Sequence, residues 1–145
     1  MTKIVQFILL VIMLATFSSV AIANVSFYDE AIKMYKEKKY DDAKFLFERN
    51  IVYNPKNVES YLYLAKIYNQ KEEQNKEEQN LDTVLLLEPS NEEAILMSMK
   101  IALKKSNYSK VKSLSKTFVK VCKKLCNEND SIKESLKNIE SKNES

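Results

Sequence analysis

The two cysteines, Cys122 and Cys126, are the most reactive side chains in this sequence. Their spacing of four does not match the C-x-x-C redox motif, and two ligands alone do not make a zinc site. Residues four apart on a helix have α-carbons about 6 Å apart, which lies within disulfide range although the side-chain geometry is poor. Two alternatives therefore stay open: a disulfide, or two buried thiols that act as small apolar side chains.

The absence of histidine and glycine excludes much of the chemistry that enzymes use. The chain has 145 residues and contains neither residue type. Without histidine, Ser–His and Cys–His couples and histidine-containing metal sites are impossible. Without glycine, glycine-rich nucleotide motifs are excluded, and tight left-handed turns are hard to build. We therefore predict a protein that is not an enzyme and that uses no cofactor and no metal.

Charge is distributed unevenly along the chain. Residues 71–93 hold eight acids and two lysines, whereas residues 94–127 hold nine lysines and no acid. A basic segment suits an acidic partner or an anionic membrane surface. Arg49 is the single arginine, and this argues against nucleic acid as the partner.

The first 23 residues have the pattern of a secretory signal peptide. Lys3 carries a positive charge, residues 4–20 are almost wholly apolar, and residues 21–23 read Ala-Ile-Ala, a small–x–small cleavage site. We predict cleavage between Ala23 and Asn24, with export to a bacterial periplasm as the leading localisation and secretion as an alternative. A further alternative is a retained membrane anchor, because an apolar segment of this length is just long enough to span a bilayer.

Two prolines mark a regular spacing in the chain. Pro55 and Pro89 define a period of 34, which we call one repeat period, and each closes a polar turn between two helical patterns. Between them runs a set of apolar and small side chains at helical spacing: Tyr61, Leu64, Ala65 and Tyr68. This period and spacing resemble the tetratricopeptide repeat (TPR), a helix–turn–helix unit. The resemblance implies an all-α fold, a solenoid of about three such units.

The preceding unit resembles a TPR through Ala43 and Phe47, which stand ahead of Pro55. A small residue lets two antiparallel helices approach, while the larger ring fills the space beside it. One repeat period after Ala43 stands Glu77, within a pentapeptide, KEEQN, that occurs twice in residues 71–80. A tandem duplication fits a tolerant surface site. We therefore predict that Glu77 and the start of its helix are exposed and poorly packed.

The third unit is indicated by its period and amphipathicity. Tyr108 lies two repeat periods after Tyr40 and opens the second helix of this unit, and Val111 stands at the position of Ala43. A break at residues 127–130 precedes a last amphipathic helix over residues 131–142. TPR arrays commonly end in such a helix, which covers the apolar face of the last unit. The predicted domains are a signal peptide (1–23), a TPR-like repeat (24–126) and a capping helix with a flexible tail (127–145).

Lysines recur at every fourth position in the last part of the repeat: Lys112, Lys116, Lys120 and Lys124. Like charges at this spacing destabilise a helix by about 0.2–0.5 kcal/mol per pair. We predict that acids of the C-terminal segment fold back over this lysine stripe. The candidate acids are Glu128, Asp130, Glu134 and Glu140.

The TPR resemblance also implies where a partner binds, because the first helix of each unit lines a groove that binds peptides or protein segments. It carries over no catalytic residue. Equivalent positions, one repeat period apart, predict the groove residues: Tyr28, Ile32, Tyr35, Lys36, Leu62, Lys66, Asn69, Leu96, Lys100, Leu103 and Lys104. The alternative for some of these is packing against a neighbouring helix.

A groove that mixes apolar side chains with lysines suits an extended or helical segment that carries a carboxylate. The predicted function is therefore a protein–protein interaction scaffold or adaptor of the cell envelope, with an unidentified protein or peptide partner. The alternative function is a membrane-surface protein that docks on anionic lipid through its basic helical face.

Overall fold

A computed structural model describes residues 26–143, and their side chains as far as residue 139. The predicted signal peptide, its cleavage site and the last two residues lie outside the described residues. The described part contains no strand and folds into seven helices: α1 (Phe27–Lys36), α2 (Tyr40–Tyr53), α3 (Val58–Gln70), α4 (Gln74–Leu87), α5 (Glu92–Lys104), α6 (Tyr108–Val121) and α7 (Cys126–Asn143).

The helices pair in chain order. α1 packs on α2, α3 on α4 and α5 on α6, and each pair also packs on the next one along the chain. α7 packs on both α5 and α6 at the end of the array. This arrangement confirms the predicted all-α, TPR-like solenoid of three helix–turn–helix units with a C-terminal capping helix. Within residues 26–143, we find no helix with the length and apolar character needed to span a bilayer.

Each first helix of a unit begins at a polar cap that the sequence supplies at a nearly constant interval. The Ser26 hydroxyl accepts a hydrogen bond from the Asp29 N–H at 3.4 Å. Asn57 and Asn91, one repeat period apart, accept from backbone N–H groups three positions further on, at 2.8 Å and 3.0 Å. These side chains satisfy N–H groups that the first turn of a helix leaves without a partner.

The turn inside each unit contains one residue in the left-handed conformation, although the chain has no glycine. Lys38, Glu72 and Ser106 have φ of 60°, 58° and 54° and follow one another at one repeat period. At each of them the following N–H reaches back to a carbonyl of the preceding helix, as from Lys39 to Met34 at 3.0 Å. This is the Schellman arrangement, which satisfies carbonyls at the end of a helix. The expectation that left-handed turns would be hard to form here was too strict, because these hydrogen bonds compensate for the steric cost.

The core consists of the side chains that the repeat pattern assigned to packing. Ala43, Phe47, Leu64 and Ala65 are buried, and Tyr68 is 7% exposed. Tyr61 is half-buried, and its hydroxyl donates to the Pro55 carbonyl at 3.2 Å. Pro55 and Pro89 are exposed in the turns between units. Small residues thus stand where helices approach closely, and large residues fill the space beside them.

The third unit keeps the same core volume with a different arrangement of side chains. Ser98 and Met99 occupy the positions that Leu64 and Ala65 occupy in the second unit, and all four are buried. One position therefore loses volume while its neighbour gains it, a swap that cores tolerate well. The buried Ser98 hydroxyl has no hydrogen-bond partner.

The prediction that Glu77 is exposed is wrong. Its side chain is 4% exposed, and its Oε1 accepts a hydrogen bond from Asn69 Nδ2 at 2.9 Å. Burial raises the pKa of the Glu77 carboxyl, and the Asn69 hydrogen bond and the charge of Lys104 oppose this rise. Its neighbour Glu78 pairs with Lys105 and Lys110. At the start of α4, Asn75 and Lys76 are exposed as predicted. Glu77 and Glu78 are packed, because neighbouring helices supply polar partners for their carboxylates.

The C-terminal boundary also differs from the prediction. α6 ends at Val121, and α7 begins at Cys126, ahead of the predicted start at residue 131. Cys122 and Cys126 form a disulfide across the connecting turn, with their α-carbons 5.3 Å apart. They therefore join two helix ends and do not share one helical stripe, which removes the geometric objection to the bridge.

The turn before α7 is fixed by a carboxylate from α5. Glu92 Oε2 accepts hydrogen bonds from the backbone N–H groups of Lys124 and Leu125, each at 3.0 Å. These backbone donors, with that of Lys123, hold the pKa of Glu92 below its usual value. The carboxylate thus satisfies N–H groups that precede a helix, where negative charge is stabilising.

The predicted cover of the lysine stripe by C-terminal acids is wrong for three of its four lysines. Lys116, Lys120 and Lys124 are exposed, and Lys124 lies beyond the end of α6. Glu128 pairs instead with Lys100 of α5, at 3.6 Å. α7 docks through apolar side chains, since Ile132 and Leu136 are buried against Leu96. Glu140 lies outside the residues whose side chains are described.

Candidate binding groove

The first helices of the first two units carry a connected set of aromatic rings. The Tyr63 ring stacks on Phe47, with centroids 5.1 Å apart. Tyr35 meets the Tyr63 ring edge-on at 4.8 Å, and Tyr28 meets Phe47 at 6.1 Å. Phe47 is buried, whereas the three tyrosines and the adjacent Ile32 are half-buried. The three tyrosines form a firm surface, and part of each tyrosine ring stays accessible to a ligand.

Two of these tyrosines are held in their neutral form. Burial, and next the negative charge of Glu59, raise the pKa of the Tyr28 hydroxyl. Burial also raises the pKa of Tyr35, with smaller contributions from Tyr40, Tyr63 and Glu93. Both hydroxyls remain available as hydrogen-bond donors and acceptors at neutral pH.

Two of the four predicted groove lysines already have carboxylate partners within the protein. Lys66 Nζ lies 2.9 Å from Glu93 Oε2 and 4.8 Å from the centre of the Tyr63 ring. Lys100 pairs with Glu128. The partner of the α3 lysine thus lies at the start of α5, and the partner of the α5 lysine lies at the start of α7. These internal pairs weaken the expectation that the groove recognises a carboxylate, because a partner's carboxylate would have to compete with them.

The other predicted groove residues divide into exposed and buried sets. Lys36, Asn69, Lys100 and Lys104 are exposed. The prediction that Leu62 and Leu96 are available in the groove is wrong, since they are 3% and 5% exposed. Leu96 lies under α7, and the half-buried Leu103 packs against the same cluster. The packing alternative therefore holds for Leu62 and Leu96, whereas Lys100 and Lys104 of the third unit remain exposed.

The sequence analysis missed three side chains of this surface: Glu59, Tyr63 and Glu93. The two glutamates lie one repeat period apart, so comparing one more set of equivalent positions would have predicted them. Tyr63 had no such signal, because the equivalent position of the third unit holds Met97. Its role depends on the ring contacts with Tyr35 and Phe47, which connect two units.

A cavity of about 690 Å³ lies beside the start of α5. It is lined by the start of α3, the α4–α5 turn and the turn before α7, with side chains of both signs: Glu59, Glu88, Glu92, Glu93, Lys120, Lys123 and Lys124. Leu62 and Leu125 supply apolar surface. Over the described residues, no cluster of three or more metal-binding side chains is present. The cavity lining therefore has mixed charge.

Sequence comparison gives no relative for this chain: no family model matches, and no curated protein matches. Solved structures do match. The type III secretion translocator chaperone SycD of Yersinia enterocolitica aligns with a TM-score of 0.70 at 14% identity, covering 91% of this chain and 94% of that chain. A structure of SycD with a peptide of the translocator YopD gives 0.69 at 14% identity, covering 81% and 92%.

A second similar structure is the second TPR domain of human RPAP3 in complex with an HSP70 peptide. Its TM-score is 0.63 at 20% identity, and the alignment covers 75% of this chain and 93% of that domain. At these identities the likeness concerns the fold. Together with the helix order and the regular spacing of caps and turns, it shows that this chain is a TPR-like helical repeat protein.

Proposed function

We propose that this protein is a non-catalytic interaction adaptor that binds a segment of another protein in the groove formed by α1 and α3. The half-buried ring surface of Tyr28, Tyr35 and Tyr63 carries this proposal. Rings that are held in place yet partly exposed offer apolar contact at little entropic cost. Two similar structures, SycD with a YopD peptide and RPAP3 with an HSP70 peptide, support peptide binding by this fold.

The groove favours a partner segment that combines an apolar or aromatic side chain with hydrogen-bonding groups. Tyr28 and Tyr35 supply both ring surface and hydroxyl groups, while Lys66 is engaged with Glu93. In the third unit, Leu96 is buried in the cluster that includes Ile132 and Leu136 of α7, so the aromatic part of the surface belongs to the first two units. A short extended or helical segment fits this surface better than a long one.

We further propose that the protein acts in the cell envelope after export. The N-terminal charged, apolar and small-residue pattern supports export. The Cys122–Cys126 disulfide supports it independently, because such bonds persist in oxidising compartments. N-terminal sequencing of the exported protein should begin at Asn24. A product that still begins at Met1 and needs detergent for extraction would indicate the anchor.

Site-specific photo-cross-linking tests the groove. A benzophenone side chain replaces Tyr28 in the groove or, as the matched control, the exposed Glu134 on α7. In the native envelope fraction, the groove position should give a discrete adduct that the control position does not give. Mapping the adduct by mass spectrometry identifies the bound segment.

Loss of the groove rings provides the complementary variant. Tyr28→Ser with Tyr35→Ser should reduce capture of the mapped segment by at least tenfold, while the helical circular-dichroism signal is retained. Tyr53→Ser removes a tyrosine outside the groove and should leave capture unchanged. Equal capture by the groove variant and the wild-type protein would refute the proposed site.

A further inference from the structure

The described residues expose several apolar side chains on the second helices of the units. The large ones are Phe45, Val52, Tyr53, Leu86 and Val119, on α2, α4 and α6, and we call these five the outer face. Val52 and Leu86 are 77% and 80% exposed and lie one repeat period apart, so they stand at equivalent positions of neighbouring units. Exposure of one such residue is ordinary, but large exposed apolar side chains on the second helix of every unit indicate an interaction surface.

The first-unit end of the outer face is ordered by a cation. The Arg49 guanidinium lies 4.4 Å from the Phe27 ring centre and 5.7 Å from that of Phe45. Phe27 also stacks on Tyr53, with centroids 5.5 Å apart. Aromatic rings with a polar tip, beside a cation, suit a boundary between apolar and aqueous surroundings.

The third-unit end of the outer face is basic. Lys120 occupies the position one repeat period after Leu86, and it is exposed next to Val119. Lys116 lies one helical turn earlier, and Lys123 and Lys124 follow in the turn after α6, all exposed. Lys120, Lys123 and Lys124 share the 690 Å³ cavity with four glutamates, whereas Lys116 does not line it. Residues 94–127 themselves contain no acid, so this segment keeps a net positive charge. Asp82 and Glu88 flank Leu86, so the positive charge of the face lies mainly toward the third unit.

We propose that the outer face docks on the surface of an anionic lipid bilayer. Apolar tips separated by cations fit a fluid surface, where the tips enter the acyl boundary and the lysines reach phosphates. None of the five apolar residues lines the 690 Å³ cavity, so that cavity provides no pocket for a protein segment bound along them. The complementary charge of anionic lipid matches the basic end of the face.

The chain also enters the fold beside this face, because Phe27 contacts Tyr53. Only a short stretch of sequence separates the apolar N-terminal segment from Phe27. If the apolar N-terminal segment is retained as an anchor, it keeps the outer face close to the bilayer. If the segment is cleaved, the outer face alone must bind the lipid. The proposal does not rest on the groove, which lies on the first helices.

Vesicle co-sedimentation tests the charge component. The exported protein is mixed with phosphatidylglycerol–phosphatidylethanolamine vesicles or with phosphatidylcholine vesicles. Each lysine near an anionic surface contributes roughly a fivefold factor in binding. Lys116→Glu with Lys120→Glu should therefore lower binding to the anionic vesicles at least about 25-fold. The same charge change on α7, Lys133→Glu with Lys137→Glu, should lower it less than about threefold because these lysines lie off the outer face.

The apolar component is tested with tryptophan, which the chain lacks. Leu86→Trp should show a blue-shifted emission and quenching by brominated lipid on anionic vesicles, whereas Tyr28→Trp in the groove should show neither. Val52→Ser with Leu86→Ser should weaken binding without changing the circular-dichroism melt. Three results would each overturn the proposal. They are wild-type binding to anionic vesicles that is no stronger than binding to phosphatidylcholine vesicles, equal losses of binding for the two lysine pairs, and Leu86→Trp emission that brominated lipid does not quench. An unquenched tryptophan would leave a protein partner as the occupant of this face.

Discussion

Glu77 occupies the position at which the first unit has Ala43 and the third unit has Val111, and all three are buried. A carboxylate is tolerated there because Asn69 donates a hydrogen bond to it and Lys104 lies near enough to favour its charge. The desolvation of the charged form still exceeds these gains, so the pKa of Glu77 is raised. Glu77 thus lowers the stability of the fold at neutral pH relative to an uncharged side chain that keeps the Asn69 hydrogen bond.

Glu77→Gln should raise the free energy of unfolding at pH 7, since the amide oxygen can still accept from Asn69. Because the folded-state pKa of Glu77 lies above its unfolded value, the folded protein binds the proton more readily. Wild-type stability relative to the variant is therefore greatest at low pH and falls as the pH rises through the folded pKa. Urea titrations of both proteins between pH 4 and pH 8 measure this difference.

The matched control for this prediction is Glu72→Gln, the same change in the other copy of the pentapeptide. Glu72 is exposed, so the free energy of unfolding should change by less than about 0.5 kcal/mol. A Glu77→Gln variant that is less stable than wild type at pH 7 would show that the carboxylate is stabilised by its partners.

At the scale of the element, the turn within each unit is built from three different residue types, Lys38, Glu72 and Ser106. The backbone conformation is the same in all three, and so are the hydrogen bonds that return to the preceding helix. The geometry is therefore imposed by helix packing and by the Schellman hydrogen bonds, and the side chains play no common part in it. Non-glycine residues in this conformation carry a steric cost of about 1–2 kcal/mol.

Lys38→Gly should stabilise the protein by about 0.5–1 kcal/mol, because glycine removes the steric cost but loses more entropy on folding. Thermal unfolding followed by circular dichroism measures the change. The control is Lys33→Gly inside α1, which should destabilise the protein by about 1 kcal/mol. Destabilisation by both changes would contradict the left-handed turn.

The Cys122–Cys126 disulfide and Glu92 act together on the short connection between α6 and α7. Cys122→Ser should lower the free energy of unfolding by about 2 kcal/mol, the effect of opening a small loop in the unfolded state. Reductant should lower the wild-type melting temperature and leave that of the variant unchanged. A wild-type melting temperature that is insensitive to reductant would mean that the bond is absent in solution.

At the scale of the whole molecule, α7 ends the array and also limits the groove. Its Ile132 and Leu136 are buried against Leu96, and the buried Asn129 accepts a hydrogen bond from Ser115 at 2.8 Å. A similar buried pair, Asn50 and Ser60, joins the first and second units at 2.8 Å. Buried hydrogen bonds thus join the first two units, and the third unit to α7, while apolar contacts and ion pairs join the second unit to the third. We therefore expect the units to unfold together.

Truncation after Asn127 should leave a helical protein that is less stable by about 3–6 kcal/mol, the contribution of two buried aliphatic side chains. The exposed Leu96 should increase the binding of a hydrophobic dye. The side-chain accessibility of Lys116 and Lys120 to acetylation should not change, because α7 does not cover them. A rise in their acetylation rate would restore the acidic-tail prediction.

The repeat register, the helix caps and the all-α class were predictable from the sequence, because they depend on local patterns. Asn57 and Asn91 mark helix starts through their own side chains, and Pro55 and Pro89 mark the turns. The groove was only partly predictable. Tyr28 and Tyr35 lie on its surface, whereas Leu96 is hidden by α7, a helix whose position depends on contacts between distant parts of the chain.

The duplicated pentapeptide shows the limit of local sequence. In the first copy, Lys71 pairs with Asp41, and Glu72 takes the left-handed conformation of a turn. In the second copy, the corresponding Lys76 and Glu77 lie in α4, where the carboxylate is buried. Identical residues therefore form a turn once and a helix once. The sequence determined the repeat period that places both copies, and the tertiary structure alone decided which glutamate is buried, because the enclosing side chains come from elsewhere in the chain.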